Sequence, residues 1–297
     1  MNKRVLITGA SGLLGRAIFD EFKSKKDSWE VLGLAFTRTG NDLRRVDLRS
    51  NREVESVIHE FKPNIVIHSA AERRPDFVER HEEDTASLNV TASQVIAECA
   101  TKEGAFTLYI STDYVFDGTS PPYKPTDKPN PLNKYGQSKL EGENATLKYL
   151  PNCGVLRVPI LYGPIEYLQE SAVTGLFELI KNKKEANVSN YEWRYPTSVK
   201  DIATVCRQIA ERRLEDDTFS GIWHWRSDDK LTKYQMVKIM GEIFGLSTQH
   251  ITADNNPSPG AKRPFDCEFD CSDLERIGIC QRTPFVAGIS ECLAKFT

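Results

Sequence analysis

The chain has 297 residues, of which 39 are basic and 42 acidic, for a formal charge of −3. That near balance favours neither nucleic acid nor an anionic membrane surface as a partner; the start MNKRVLITGASG enters a strand too soon for a signal peptide, and no apolar run approaches the roughly 18 residues of a membrane span. Seven cysteines, odd in number and without a C-x-x-C pair, fit a reducing, cytoplasmic setting.

Residues 5–8 (VLIT) have the apolar, β-branched character of a buried parallel strand, and Leu13, Leu14, Ala17, Ile18 and Phe22 then recur at helical spacing. Between them lie Gly9, Gly12 and Gly15. On a strand–turn–helix, Gly9 makes the tight turn, Gly12 admits a pyrophosphate close to the backbone, and Gly15 lets helix and strand pack, with phosphates at the helix N-terminus. Ser11, Leu13, Leu14 and Arg16 complete this candidate loop. Glycines in such turns also occur for purely structural reasons.

The alternation continues with strand-like runs from 29 (WEVLGLAF), 64 (NIVIHSAA) and 106 (FTLYIST), separated by helical runs 51–61 and 86–101. This rhythm predicts an α/β fold, a Rossmann-type doubly wound parallel sheet whose ligands collect at the carboxyl ends of the strands. The third of these strands ends in Ser111-Thr112-Asp113. Neighbours on a strand face opposite ways, so only one of Ser111 and Thr112 faces a site. Thr112 is the candidate to polarise a substrate carbonyl; turn capping is the plainer reading.

The proline-rich stretch 117–133 is a loop, and a helix is predicted from about Lys134. On it Tyr135 and Lys139 share one face. A tyrosine lowered by about three pH units, roughly 4 kcal/mol, would suit proton transfer near neutral pH, with Lys139 and a positive nicotinamide sharing that work. The same pair also occurs on solvated helices. A strand at 155–163 follows, and the run 199–213 is an amphipathic helix packed back on the sheet. The predicted division places 1–161 with 192–220 in the nucleotide-binding domain, and 162–191 with 221–297 in a smaller, C-terminal substrate-side subdomain.

The glycine loop, Thr112 and the Tyr135/Lys139 pair together resemble the extended short-chain dehydrogenase/reductase superfamily. The resemblance implies that Tyr135 donates a proton to a substrate oxygen during hydride transfer and that Lys139 also holds the cofactor ribose. It further implies cofactor contacts from Asp47 and Leu48 near the adenine, from Ser69, Ala70 and Ala71 at a strand end, and from Asn89 and Pro159. NAD users of such folds place an acidic residue after the second strand; here the chain reads Phe36-Thr37-Arg38. An arginine pairs with a 2′-phosphate, so Arg38, aided by Arg16, points to NADP; solvated surface charges are the other reading.

Within the superfamily, STDYVFDG, RYPTSVKDIA, GIWHW and AKRPFD resemble dTDP-4-dehydrorhamnose reductases, which act with NADPH on a sugar nucleotide. Four long stretches, at 70–76, 158–174, 195–211 and 274–289, more closely resemble the family of regulatory β subunits of S-adenosylmethionine synthetase, which implies a catalytic subunit as partner. Those subunits carry a longer aromatic and basic tail where this chain ends in SECLAKFT. The expectation is therefore either a partner met by another surface or a branch with reductase activity. Arg73 and Arg74 lie where a phosphate, a partner carboxylate or solvent can meet them. The five histidines are dispersed without ligand spacing, so no metal is expected. Cys267 and Cys271 read as structural and Trp223 and Trp225 as packing or, less simply, a base stack. Asp201 and Arg263 are candidate anchors for the second domain or for a diphosphate.

Overall fold

Strands that are apolar on both faces must be covered on both faces, and the sheet of this chain is built that way. A computed structural model describes residues 3–40 and 42–297. Its main sheet is parallel and has seven strands: β1 (Lys3–Thr8), β2 (Trp29–Ala35), β3 (Leu43–Arg45), β4 (Ile65–His68), β5 (Phe106–Thr112), β6 (Cys153–Val158) and an outer strand, Gly221–His224. From β1 the chain steps through β2 to β3 at one edge, then returns to β4 on the other side of β1 and continues through β5 and β6 to the outer strand. The reversal between β1 and β4 opens a crevice at the carboxyl ends of the strands, where such sheets bind ligands.

Helices α1 (Leu13–Lys23), α2 (Asn51–Phe61), the short α3 (Pro75–Val78) and α4 (Glu82–Ala86), α5 (Ala92–Lys102) and α6 (Lys134–Leu147) follow in order. Val5 and Ile7 of β1 pack with Ile18, Phe19 and Phe22 of α1 and with Ile202, Val205 and Ile209 of the helix Val199–Glu215. Leu6 points the other way, into a layer made by Val54 and Val57 of α2 and Ile96 of α5. The start of α6 is fixed locally. Asn133, the last residue of the proline-rich loop, accepts the Gly136 N–H at 2.8 Å and so caps the helix that carries Tyr135 and Lys139.

A second core forms where helices Gly175–Asn182, Lys233–Phe244 and Phe285–Leu293 meet around Phe177, Met236, Met240 and Phe285, beside a parallel pair of strands, Ala186–Ser189 and Ile251–Asp254. Residues 162–191 contribute to it. The division expected at 220/221 needs correction. Gly221–His224 pairs with β6 and extends the large sheet, and Cys267, Phe269, Cys271, Leu274 and Ile279 join the core of that sheet. Burial explains both, because the outer face of β6 would otherwise be left open and Trp223 and Trp225 fill that side of the core. β3 was not expected: three residues with two arginines carry no apolar signature.

Candidate functional site

The crevice is a cavity of about 820 Å³ lined by the ends of β1, β2, β4, β5 and β6 and the loops that follow them. Its floor begins at the glycine loop. Gly9 has φ +67°, and a Cβ there would stand 2.8 Å from the Ala70 Cα; a Cβ on Gly15 would stand 2.0 Å from the Gly9 oxygen. These two glycines are demanded by the backbone itself. Gly12 is different, since a Cβ there meets only the Gly9 oxygen at 3.2 Å, and its bareness matters chiefly to whatever enters the cavity. Gly12 is the N-cap of α1 and no side chain caps that helix, so the N–H groups of the first turn are available to an anion.

The end of β4 is stitched to β1. Ser69 Oγ donates to the Thr8 carbonyl at 2.7 Å, and the Ala70 N–H donates to Thr8 Oγ1 at 3.3 Å. Small residues at 69–71 keep this wall low beside the glycine loop. On the far side, β5 delivers Thr112 to the cavity while the hydroxyl of Ser111 donates to the buried carboxylate of Glu143. Thr112 Oγ1 donates to Asp113 Oδ1 at 3.1 Å and accepts the Tyr114 N–H at 3.3 Å. The turn-capping role and the cavity-facing role are thus both present in one residue.

Tyr135 and Lys139 both line the cavity. Lys139 Nζ donates to the Ile110 carbonyl at 2.8 Å and lies 4.0 Å from the Tyr109 ring centre. Burial pulls this ammonium down to about 7, with Glu143 opposing. The expected lowering of the Tyr135 phenol is not produced by the chain's own groups: burial pushes it upward, Asp113 adds to that push and the Thr112 hydroxyl only partly opposes it. Burial also lifts the Asp113 carboxyl to about 6. Within the chain's own surroundings the Tyr135 phenol is therefore held in its protonated form.

All the residues given a catalytic or cofactor-binding role from the sequence line this one cavity except Arg16 and Asn89. Asn89 is buried and ties loops together: its Oδ1 accepts the Glu72 N–H at 2.9 Å, and its Nδ2 donates to the Glu72 carbonyl and to Ser138 Oγ. Its place in a widened helical turn, Ser87–Thr91, sets that reach. Arg16 sits behind the loop and grips Glu170 through both terminal nitrogens, at 2.8 and 2.7 Å. Arg38 is at the cavity, but it too meets carboxylates: Glu166 at 2.5 Å and Glu170 at 3.3 Å. Asp47 lines the cavity with its carboxylate held by Arg49 at 2.8 Å, and Arg49 and Arg45 flank the Phe36 ring at 5.1 and 5.5 Å.

Arg194, Lys233 and Tyr114, which no local pattern marks as site residues, close the opposite end of the cavity. Arg194 is buried and lies 5.8 Å from the Tyr114 ring; Arg263 pairs with Asp76 at 2.6 Å. Burial with Arg194 and Arg263 nearby lowers Lys233 to about 8. These cations lie far apart in sequence and are brought together by tertiary contacts, Arg194 donating to the Pro264 carbonyl at 3.0 Å beside Arg263. Asp201 is elsewhere, accepting from the Thr283 N–H and hydroxyl at 2.7 and 2.8 Å, where it anchors the C-terminal segment. Among the described residues no group of histidine, cysteine or acidic side chains is arranged to hold a metal, and no helix is long and apolar enough to cross a membrane.

A parallel switch-point sheet, a glycine loop beneath an uncapped helix, and a Thr/Tyr/Lys set on the facing wall define a reductase-like nucleotide-binding protein. The chain belongs to the RmlD substrate binding domain family, whose model matches residues 3–297. It is 48% identical over 297 residues to methionine adenosyltransferase 2 subunit beta of Bos taurus, covering 99% of this chain and 88% of that protein. A dTDP-4-dehydrorhamnose reductase of Aggregatibacter actinomycetemcomitans is 34% identical over 284 residues, 92% of each chain. The fold matches that of a dTDP-4-dehydrorhamnose reductase from Bacillus anthracis, solved in complex with NADP, with a TM-score of 0.85 at 24% identity over 99% of both chains.

Proposed function

We propose that this chain is an NADP-binding, reductase-like regulatory subunit of S-adenosylmethionine synthetase. The observation that carries the reading is the near-full-length identity to methionine adenosyltransferase 2 subunit beta, 48% across both cores and not the nucleotide cavity alone. The cavity supports the cofactor half. Its first-turn N–H groups suit a pyrophosphate, Lys139 suits a ribose, and Arg38 after β2 suits a 2′-phosphate where an NAD site would have a carboxylate.

Sedimentation velocity of the full chain with the catalytic S-adenosylmethionine synthetase of the same organism, in the presence of NADP, tests the partner half. The expected result is a stoichiometric complex at micromolar concentrations; two independent boundaries would contradict it. A second reading, an NADPH-dependent sugar-nucleotide reductase, is favoured by one observation: Thr112, Tyr135 and Lys139 all line the same cavity. If that reading holds, NADPH oxidation with a dTDP-4-keto sugar is measurable, and Tyr135→Phe abolishes turnover while NADP affinity stays nearly unchanged. Equal turnover by the variant would remove Tyr135 as proton donor.

A further inference from the structure

The arginines that the sequence offers to a 2′-phosphate are already in contact with carboxylates. The segment 164–172 leaves the second core and crosses to the nucleotide side, where Arg16 of α1 and Arg38 and Arg73 from two loops meet it. Glu170, in the turn Leu168–Glu170, has a side chain only 2% exposed. Its carboxylate accepts from Arg16 twice, from Arg38, and from the Glu166 N–H at 2.9 Å, and its carbonyl accepts from Arg73 Nη2. Those donors hold the carboxyl down to about 2, although burial works against them. Glu170 is the fixed anchor of this strap.

Glu166 is held differently. Its side chain is 53% exposed, it meets Arg38 Nη1 at 2.5 Å, and it lies 3.7 Å from Arg16 Nη1. Two carboxylates therefore offset two guanidinium groups at the end of β2, the position that separates a 2′-phosphate from a 2′-hydroxyl. A phosphate that reaches Arg38 arrives beside the Glu166 carboxylate and is repelled by it unless that side chain swings out. A ribose hydroxyl has no such conflict, and it can donate to the carboxylate oxygen of Glu166. Exposure makes Glu166 displaceable, whereas Glu170 is not.

We propose that Glu166 is a specificity-determining residue which competes with the 2′-phosphate for Arg38, narrowing the preference for NADP over NAD and linking the seat of the 164–172 strap to the dinucleotide bound. The proposal rests on the reading that the cavity binds a nicotinamide dinucleotide. It predicts a charge effect, not a packing effect, because Glu166→Gln keeps the shape and removes only the negative charge.

Isothermal titration of the full chain and of Glu166→Gln with NADP and with NAD provides the test. The variant is expected to bind NADP roughly threefold to tenfold tighter, with NAD unchanged or weaker, and to keep its Tm within about 1 °C. Glu170→Gln, which loosens the anchor, lowers the Tm clearly. A ratio of NADP to NAD affinity that stays within twofold of wild type overturns the competition, as does a large loss of Tm in Glu166→Gln. Failure of the wild-type chain to bind either dinucleotide is a separate result, which overturns the reading of the cavity and this inference with it.

Discussion

At the residue scale the glycine loop separates what folding requires from what a ligand requires. Gly15→Ala places a Cβ 2.0 Å from a backbone oxygen and is expected to destabilise the chain by about 2 kcal/mol or more, measured by urea denaturation. Gly12→Ala, with its nearest atom at 3.2 Å, is expected to leave stability within about 0.5 kcal/mol yet weaken dinucleotide binding at least tenfold by titration. Equal effects on both properties in both variants would contradict the division of labour. Lys139 gives a second contrast. Its folded value, about 7, lies below the usual lysine range, so its burial opposes folding below about pH 7, and this penalty fades as pH rises toward about 10. Lys139→Met is therefore expected to raise the Tm of the ligand-free chain by a few degrees at pH 6 while abolishing dinucleotide binding. A lower Tm would show that the bond to the Ile110 carbonyl outweighs the desolvation.

At the scale of elements, the seat of α6 decides where Tyr135 and Lys139 stand. One face of this helix carries Glu143 inward, where it meets Arg157 of β6 at 2.7 and 2.9 Å with both side chains about 98–99% buried. Arg157 in turn lies 3.2 Å from His224 of the outer strand, whose imidazole burial holds well below its usual range, at about 3 and hence neutral. Glu143→Leu leaves the guanidinium uncompensated and is expected to cost about 3–5 kcal/mol, whereas the double replacement Glu143→Leu with Arg157→Met recovers most of that loss. Chemical denaturation of the three variants checks this; additive losses would show that the pair is not coupled.

The strands were legible because a parallel sheet buried on both faces writes itself as continuous apolar runs, as at 64–68 and 106–112. That the strand ends and the glycine loop meet at one cavity was legible too, because sequence order and strand direction place them together. β3 was not, being short and basic; GIWHW was legible as a strand, but its place in the large sheet was not, since its partner β6 lies more than 60 residues back. The position of Asn89, buried outside the cavity lining, was not legible either, because the reach of its amide depends on a widened helical turn that no local pattern announces. The partners of Arg16 and Arg38 were invisible, since Glu166 and Glu170 come from a segment that only the second core directs across the crevice.

For the whole molecule, that segment is the tie between the two cores at the nucleotide side. Glu170 carries a sign that pH can read. Its carboxyl falls from the ordinary 4.5 to about 2, so its contribution to stability is complete above about pH 5 and is lost as pH falls toward about 2. The difference in unfolding free energy between wild type and Glu170→Gln is expected to be about 2–3 kcal/mol at pH 7 and to shrink steadily through that acid range. A difference independent of pH would mean that Glu170 acts by shape and not by charge. Arg263 with Asp76, and Lys233 at the start of a second-core helix, close the far end of the same cavity, so residues carried by both cores line it.

The most direct test is a crystal structure of the full chain grown with NADP. The account predicts the pyrophosphate at the N-terminus of α1 over Gly12, the nicotinamide end against Tyr135 and Lys139, and the 2′-phosphate on Arg38 with Glu166 swung aside. A dinucleotide bound in the reverse direction, or seated away from the glycine loop, would contradict it.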